Sequence, residues 1–215
     1  GYGVKLDAVH NATIVRSQFE IGTFTKQGFD CSGLFGVGID INNSNGYMIE
    51  ENQFTSHSNP ETNDLIGIRV YYDEFLQAEL NNIYKNSFHT LSSANLAEGK
   101  NFTDNFEYEG LVYQCNTNTQ NYYDFYFVDR GVAGQQGSLT KAAGNTFSPI
   151  QIQPTVDHHI NNLADNHIDY YHTSGFNEKP LYIFNVDTTQ VGNAHGCPSS
   201  FGGGGQDIEL SGLTA

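Results

Sequence analysis

The 215-residue chain has no tryptophan, a single methionine (Met48), five prolines and three cysteines, and it is short of positive charge: nine Lys and Arg stand against 24 Asp and Glu, a formal net charge of −15. So acidic a balance argues against contact with a nucleic-acid backbone or an anionic lipid surface. It fits a well-solvated surface, a saline medium or Ca²⁺ nearby. No stretch approaches the roughly 20 apolar residues of a membrane-spanning helix, and none has the layout of a signal peptide, so membrane insertion is not expected. Cys31, Cys115 and Cys197 form no CxxC, which removes the common zinc and thiol-redox motifs and favours extracellular use. No GxSxG surrounds a serine, Cys115 has no evident histidine partner, and Gly202 to Gly205 lack the lysine and helix of a phosphate loop. His158, His159, His167, His172 and His195 crowd the C-terminal part without HxH or HExxH spacing, and read as surface or turn residues.

What the chain does have is Gly, Asn, Tyr and Phe, a turn-rich β composition in which Gly and Asn supply positive-φ corners and aromatics fill pleated faces. A two-part phrase recurs: Gly3-Val4-Lys5-Leu6 with Ile14 to Phe19, Gly38-Ile39-Asp40-Ile41 with Ile49 to Phe54, and Gly67-Ile68-Arg69-Val70 with Ile83 to Phe88. From Gly to Ile the gap is 11, 11 and 16 residues, whereas from Ile to Phe it is always 5, so insertions fall between strands, as in a repeat array. On a strand the apolar residues of the first half share one face and the charged residue takes the other. In Ile-x-x-Asn-x-Phe, Asn and Phe share a face and Ile joins them only through a kink or bulge. An inward Asn needs a partner, since an unpaired buried amide costs roughly 1 to 3 kcal/mol. Stacking supplies one, giving a ladder of Ser17, Asn52 and Asn86 beside a ladder of Phe19, Phe54 and Phe88. The expected fold is all-β, a right-handed parallel β-helix (solenoid) with a C-terminal β cap, its hand taken from the rule for parallel crossovers.

The expected division is 1–149 for the β-helix coils, 150–200 for the cap and 201–215 for a Gly-rich linker or tail. Because a repeat begins at once after Gly1, the chain reads as an internal piece or a processed product. Parallel β-helices often host polysaccharide lyases and hydrolases, which need paired carboxylates or a basic residue beside Ca²⁺. The nearest candidates are Asp64, Asp73, Glu74 and Glu79 around the third repeat, to be weighed by whether they converge with Arg69 over a groove. Solvated loop charge is the plainer reading, and Glu50-Glu51 reads as an outward pair. Tyr71-Tyr72 and Tyr122-Tyr123 would stack on sugar rings if exposed, or on one another in a strand stack.

Gly110-Leu111-Val112-Tyr113-Gln114-Cys115-Asn116, Ala143-Gly144-Asn145-Thr146-Phe147 and Ala194-His195-Gly196-Cys197-Pro198-Ser199-Ser200, in that order, resemble the right-handed parallel β-helix region of large secreted surface proteins of Bacteroidota, of the kind exported by the type IX, gliding-associated system. The resemblance implies an extracellular or cell-surface location, further domains of a longer parent chain, and glycans or other surface proteins as partners. It also implies a Cys115–Cys197 disulfide, worth roughly 4 kcal/mol in the chain-entropy model, with Cys31 free or paired elsewhere. The expected function is a structural or adhesive module without a resident cofactor. The alternatives are a polysaccharide lyase or glycoside hydrolase using the third-repeat acids, and a subunit of an extracellular fibre or secretion-associated assembly.

Overall fold

The computed structural model describes residues 1–22, 36–60, 64–72, 81–103, 106–149, 159–175 and 177–201. Among them the regular structure is all β, with no helix. Three successive strand triplets open the chain: β1 (Tyr2–Asp7), β2 (Thr13–Val15) and β3 (Gln18–Glu20); β4 (Gly36–Asn42), β5 (Met48–Glu50) and β6 (Gln53–Thr55); β7 (Leu65–Tyr72), β8 (Asn81–Tyr84) and β9 (Ser87–His89). A fourth set follows as β10 (Ser93–Gly99), β11 (Phe102–Thr103), β12 (Phe106–Gln114) and β13 (Thr117–Thr119). The remaining strands are β14 (Tyr123–Phe127), β15 (Gln135–Gln136), β16 (Ile160–Asn162), β17 (Ile168–His172), β18 (Ile183–Phe184) and β19 (Val186–Gln190).

Each triplet gives one strand to each of three sheets. The long sheet runs β1-β4-β7-β10-β14-β16-β18, the second β11-β12-β8-β5-β2 and the third β13-β9-β6-β3, while β15-β17-β19 form a short fourth. Among these named strands every pairing is parallel except the antiparallel contact of β11 with β12. Register explains the apolar spacing. Val4, Ile39 and Ile68 face one another across β1, β4 and β7, as do Leu6, Ile41 and Val70; Ile14, Ile49 and Ile83 repeat this in the second sheet. All nine pack in or against one continuous core. A fully buried Ile contributes about 1.5 to 3 kcal/mol over an exposed one. Residues 160–190, within the stretch assigned to a cap, extend the long sheet through β16 and β18 and add β17 and β19 to β15.

The kink that Ile-x-x-Asn-x-Phe requires is a left-handed residue between the second and third sheets: Arg16 (φ 51°), Glu51 (58°), Lys85 (55°), Cys115 (59°) and Gly144 (74°). Directly after each comes the ladder. The Ser17 N–H donates to Asn52 Oδ1 (2.9 Å). Asn52 N and Nδ2 both donate to Asn86 Oδ1, each at 3.0 Å, and Asn86 does the same to Asn116 Oδ1 at 3.0 and 3.2 Å. Asn116 passes it on to Asn145 Oδ1 at 2.9 and 3.1 Å. Four non-glycine residues in a left-handed conformation cost roughly 1 kcal/mol or more apiece, which the saturated amides offset.

Beside the amides, the Phe19 and Phe54 rings lie 4.8 Å apart and the Phe54 and Phe88 rings 4.9 Å, near parallel in both pairs. The glycines opening each phrase make room for them. A Cβ on Gly38 would stand 2.7 Å from both the Phe54 ring and the Gly67 carbonyl oxygen. In the fourth set Asn118 pairs with Phe88 instead of a ring, and Ala94 stands where the glycine had been.

The last described residues turn back along the left-handed corner. Cys197 is at disulfide distance from Cys115 (S–S 2.11 Å). The Tyr84 hydroxyl donates to Pro198 O (2.7 Å), Ser200 N–H to Glu50 Oε1 (2.7 Å) and Arg16 Nη2 to Phe201 O (3.1 Å). Six residue steps, 195 to 201, cover about 20 Å at strand rise, which matches four inter-strand spacings from Gly144 to Arg16. Under this strap Arg16 and Lys85 both hold Glu51, at 2.8 and 2.9 Å. Glu50, expected to point outward into solvent, is instead fully buried because the strap lies over it. Cys31 lies outside the described residues.

Candidate functional site

The long sheet has one face on the core and another turned away from it. On the outer face the register lines up Lys5, Asp40, Arg69, Leu96, Tyr126, Asn161 and Phe184, one from each strand. Beside that row stand Asp7, Asn42, Tyr71 and Glu98. Two chemistries share the face. Near the starts of β4 and β7, Val37 and Ile66 join Leu96 of β10 in a buried apolar cluster separate from the main core, with Tyr126 against it. Tyr123 and Tyr126 stack at 4.9 Å, Tyr122 meets Tyr123 edge-on at 4.6 Å, and Phe184 is half exposed.

Further along β4, β7 and β10 the face is ionic. Arg69 Nε bonds Glu98 Oε2, and its Nη1 lies 3.6 Å from Asp40 Oδ1. Burial pushes the Asp40 pKa up, and the Arg69 charge beside it opposes the rise. Partial burial alone would weaken Arg69 as a base, but the Glu98 hydrogen bond and charge win and raise its pKa. The outcome is a guanidinium fixed between a nearly buried carboxyl and a second carboxylate. Such a set has the chemistry to bind a polar group or to exchange a proton with one.

The acids nominated from sequence do not build this cluster. Asp64 is exposed just ahead of β7, and Asp73, Glu74 and Glu79 lie outside the described residues. Arg69 is engaged with Asp40 and Glu98 instead. The signal was present, because Lys5, Asp40 and Arg69 fill the same place in the repeated phrase; only the long-sheet register adds Glu98 and Tyr126.

The histidines separate. His159 and His172 are buried rather than on the surface: His159 bonds Ser148 O through Nε2 (2.9 Å) and accepts from Leu181 N–H at Nδ1 (3.0 Å), and His172 Nδ1 meets Thr173 O at 2.6 Å. Cys115 does have a histidine neighbour, His195 Nδ1 at 3.1 Å from its Sγ, brought there by the strap. Burial lowers the His195 pKa. Among the described residues two groups of three metal-ligating side chains converge, Cys115/His195/Cys197 and His167/Asp169/Asp187. In the first the sulfurs are committed to each other. A hollow of about 290 Å³ opens at the edges of β1 and β3, lined in part by Tyr2, Phe19, Ile21 and Gly38. Comparison with protein-family models, curated proteins and solved structures gave no match.

Proposed function

We propose that this chain is a right-handed parallel β-helix serving as a structural or adhesive module of a secreted cell-surface protein, of the Bacteroidota type IX kind, and that the outer face of the long sheet is what it offers to glycans. The parallel register across four sheets and the amide and phenyl ladders support the fold. A cysteine pair at disulfide distance favours an oxidising compartment. The observation that carries the binding role is the Tyr123–Tyr126 stack, continuous with Leu96 and ending near the exposed edge at Phe184. Aromatic planes suit the C–H faces of sugar rings, while the phenol hydroxyls suit their hydroxyls. A glycan array probed with the chain tests it: ligands bound by the wild type should lose at least tenfold affinity in Tyr126→Ala at unchanged circular dichroism. An array without hits, or hits indifferent to Tyr123 and Tyr126, would end the adhesive reading.

A second reading, lyase or glycoside hydrolase, is favoured by Asp40, a nearly buried carboxyl with a raised pKa beside Arg69 and Glu98. Release of reducing ends from a polysaccharide panel, abolished in Asp40→Asn, would establish it. A third, subunit of a fibre or secretion-associated assembly, is supported by β1, β2 and β3, each the outermost strand of its sheet beside the hollow at that end.

A further inference from the structure

His167 immediately precedes β17, Asp169 lies on β17 and Asp187 on β19. Asp169 and Asp187 are direct partners in the parallel ladder. At a strand spacing of about 4.8 Å two like charges so placed repel, a pairing that is destabilising unless something neutralises it. One ligand-capable atom from each of the three residues lies within 4.8 Å of the other two.

The imidazole is oriented from behind. Asn185 Nδ2 donates to Ala164 O and to Asn166 O, both at 3.2 Å, so its amide cannot be turned around without facing oxygen with oxygen. Its Oδ1 therefore meets His167 Nδ1 at 3.0 Å and requires a hydrogen there. In the neutral ring that leaves Nε2 with a lone pair, 3.2 Å from Asp187 Oδ2. Two acceptors face each other at that distance only with a cation between them. A proton can serve, and the Asn185 hydrogen bond together with Asp187 does raise the His167 pKa. A metal ion serves better, because it also neutralises Asp169. The indirect fixing of a ligating histidine through its other nitrogen is the arrangement metal sites use.

We propose that His167, Asp169 and Asp187 form a binding site for a divalent first-row transition cation, with Asn185 as the positioning residue. One imidazole nitrogen and two carboxylates suit Zn²⁺ or Mn²⁺, whereas Ca²⁺ demands six to eight oxygens. Two of the ligands stand on paired strands, and three protein ligands leave coordination positions open to water or to a group on a partner. The site is independent of the glycan-binding face.

Titration of the oxidised full chain with Zn²⁺ or Mn²⁺ alone, followed by calorimetry and by the ¹⁵N shifts of the His167 ring, tests it. One ion per chain should bind, Nε2 should shift on loading while Nδ1 keeps its hydrogen, and His167→Gln, Asp169→Asn and Asp187→Asn should each weaken binding at least tenfold. Asn185→Leu should weaken it less than the ligand variants and release the tautomer, visible as mixed Nδ1 and Nε2 protonation in the metal-free chain. All four side chains sit at the surface or partly so, and circular dichroism should not change. No stoichiometric binding would overturn the proposal. So would binding lost only in His167→Gln while both Asp variants bind like the wild type, the behaviour of a solitary surface imidazole.

Discussion

Asn86 sits mid-ladder, its Oδ1 accepting two N–H groups from Asn52 while its own Nδ2 donates to Ile49 O and Asn116 Oδ1. Asn86→Ala leaves those buried groups unpaired and should lower stability by about 2 to 4 kcal/mol in urea unfolding; Ser17→Ala, at the exposed end, should cost under about 1 kcal/mol. Asp124 governs a pH effect. It is fully buried, accepts from Ser148 and Asn121, and burial outweighs those bonds to push its pKa up to about 7 from 3.8. The folded carboxyl holds its proton more tightly than the unfolded one, so the stability is complete below pH 3.8 and is lost as pH rises to 7. Wild type should lose about 2 to 3 kcal/mol between pH 5 and 8 through this group, and Asp124→Asn should flatten that slope. Asn52 and Asn86 were legible because the phrase around them repeats. Asn116 was not, since Asn118 replaces the phenylalanine that would have marked it.

At the scale of elements, each glycine and the ring above it are one structural unit. Gly67→Ala would set a Cβ 2.6 Å from Ala94 O and 2.7 Å from the Phe88 ring, and should destabilise by about 1 to 3 kcal/mol, whereas the reverse change at Ala94 should cost under about 1 kcal/mol. Melting curves of the two variants would check the contrast. The strap depends on its sulfur link: Cys197→Ser opens a loop of 82 residues and should cost about 4 kcal/mol, with Ser200 amide exchange accelerating while the Asn ladder stays protected. Exchange as slow as wild type at Ser200 would mean that the hydrogen bonds alone hold the strap. Strands up to β9 could be read from sequence, because period and ring spacing agree. The strap could not, for Ser200 and Glu50 are 150 residues apart and meet through a backbone N–H that carries no side-chain signature. Around β17 and β18 the sequence offers short strand candidates, 168–171 and 181–186, but not their place in the parallel stack, because they lack the Asn-x-Phe ending.

For the molecule as a whole, the charge pattern across β1, β4 and β7 and the parallel register follow from stacking one phrase on the next, and β14, β16 and β18 continue that sheet with its aromatic part. Alternating Lys5, Asp40 and Arg69 at one repeat position neutralise one another across strands, and the net acidity remains for the rest of the surface. Every functional reading above rests on that stack. Its most direct test is a ¹³C-edited NOESY spectrum of the chain labelled only at phenylalanine rings, with Phe19→Leu and Phe88→Leu for assignment. Cross-peaks should join the Phe54 ring to both Phe19 and Phe88, at separations of 4.8 and 4.9 Å. A Phe54 ring without a contact to either neighbour would contradict the parallel register and, with it, the account of the whole chain.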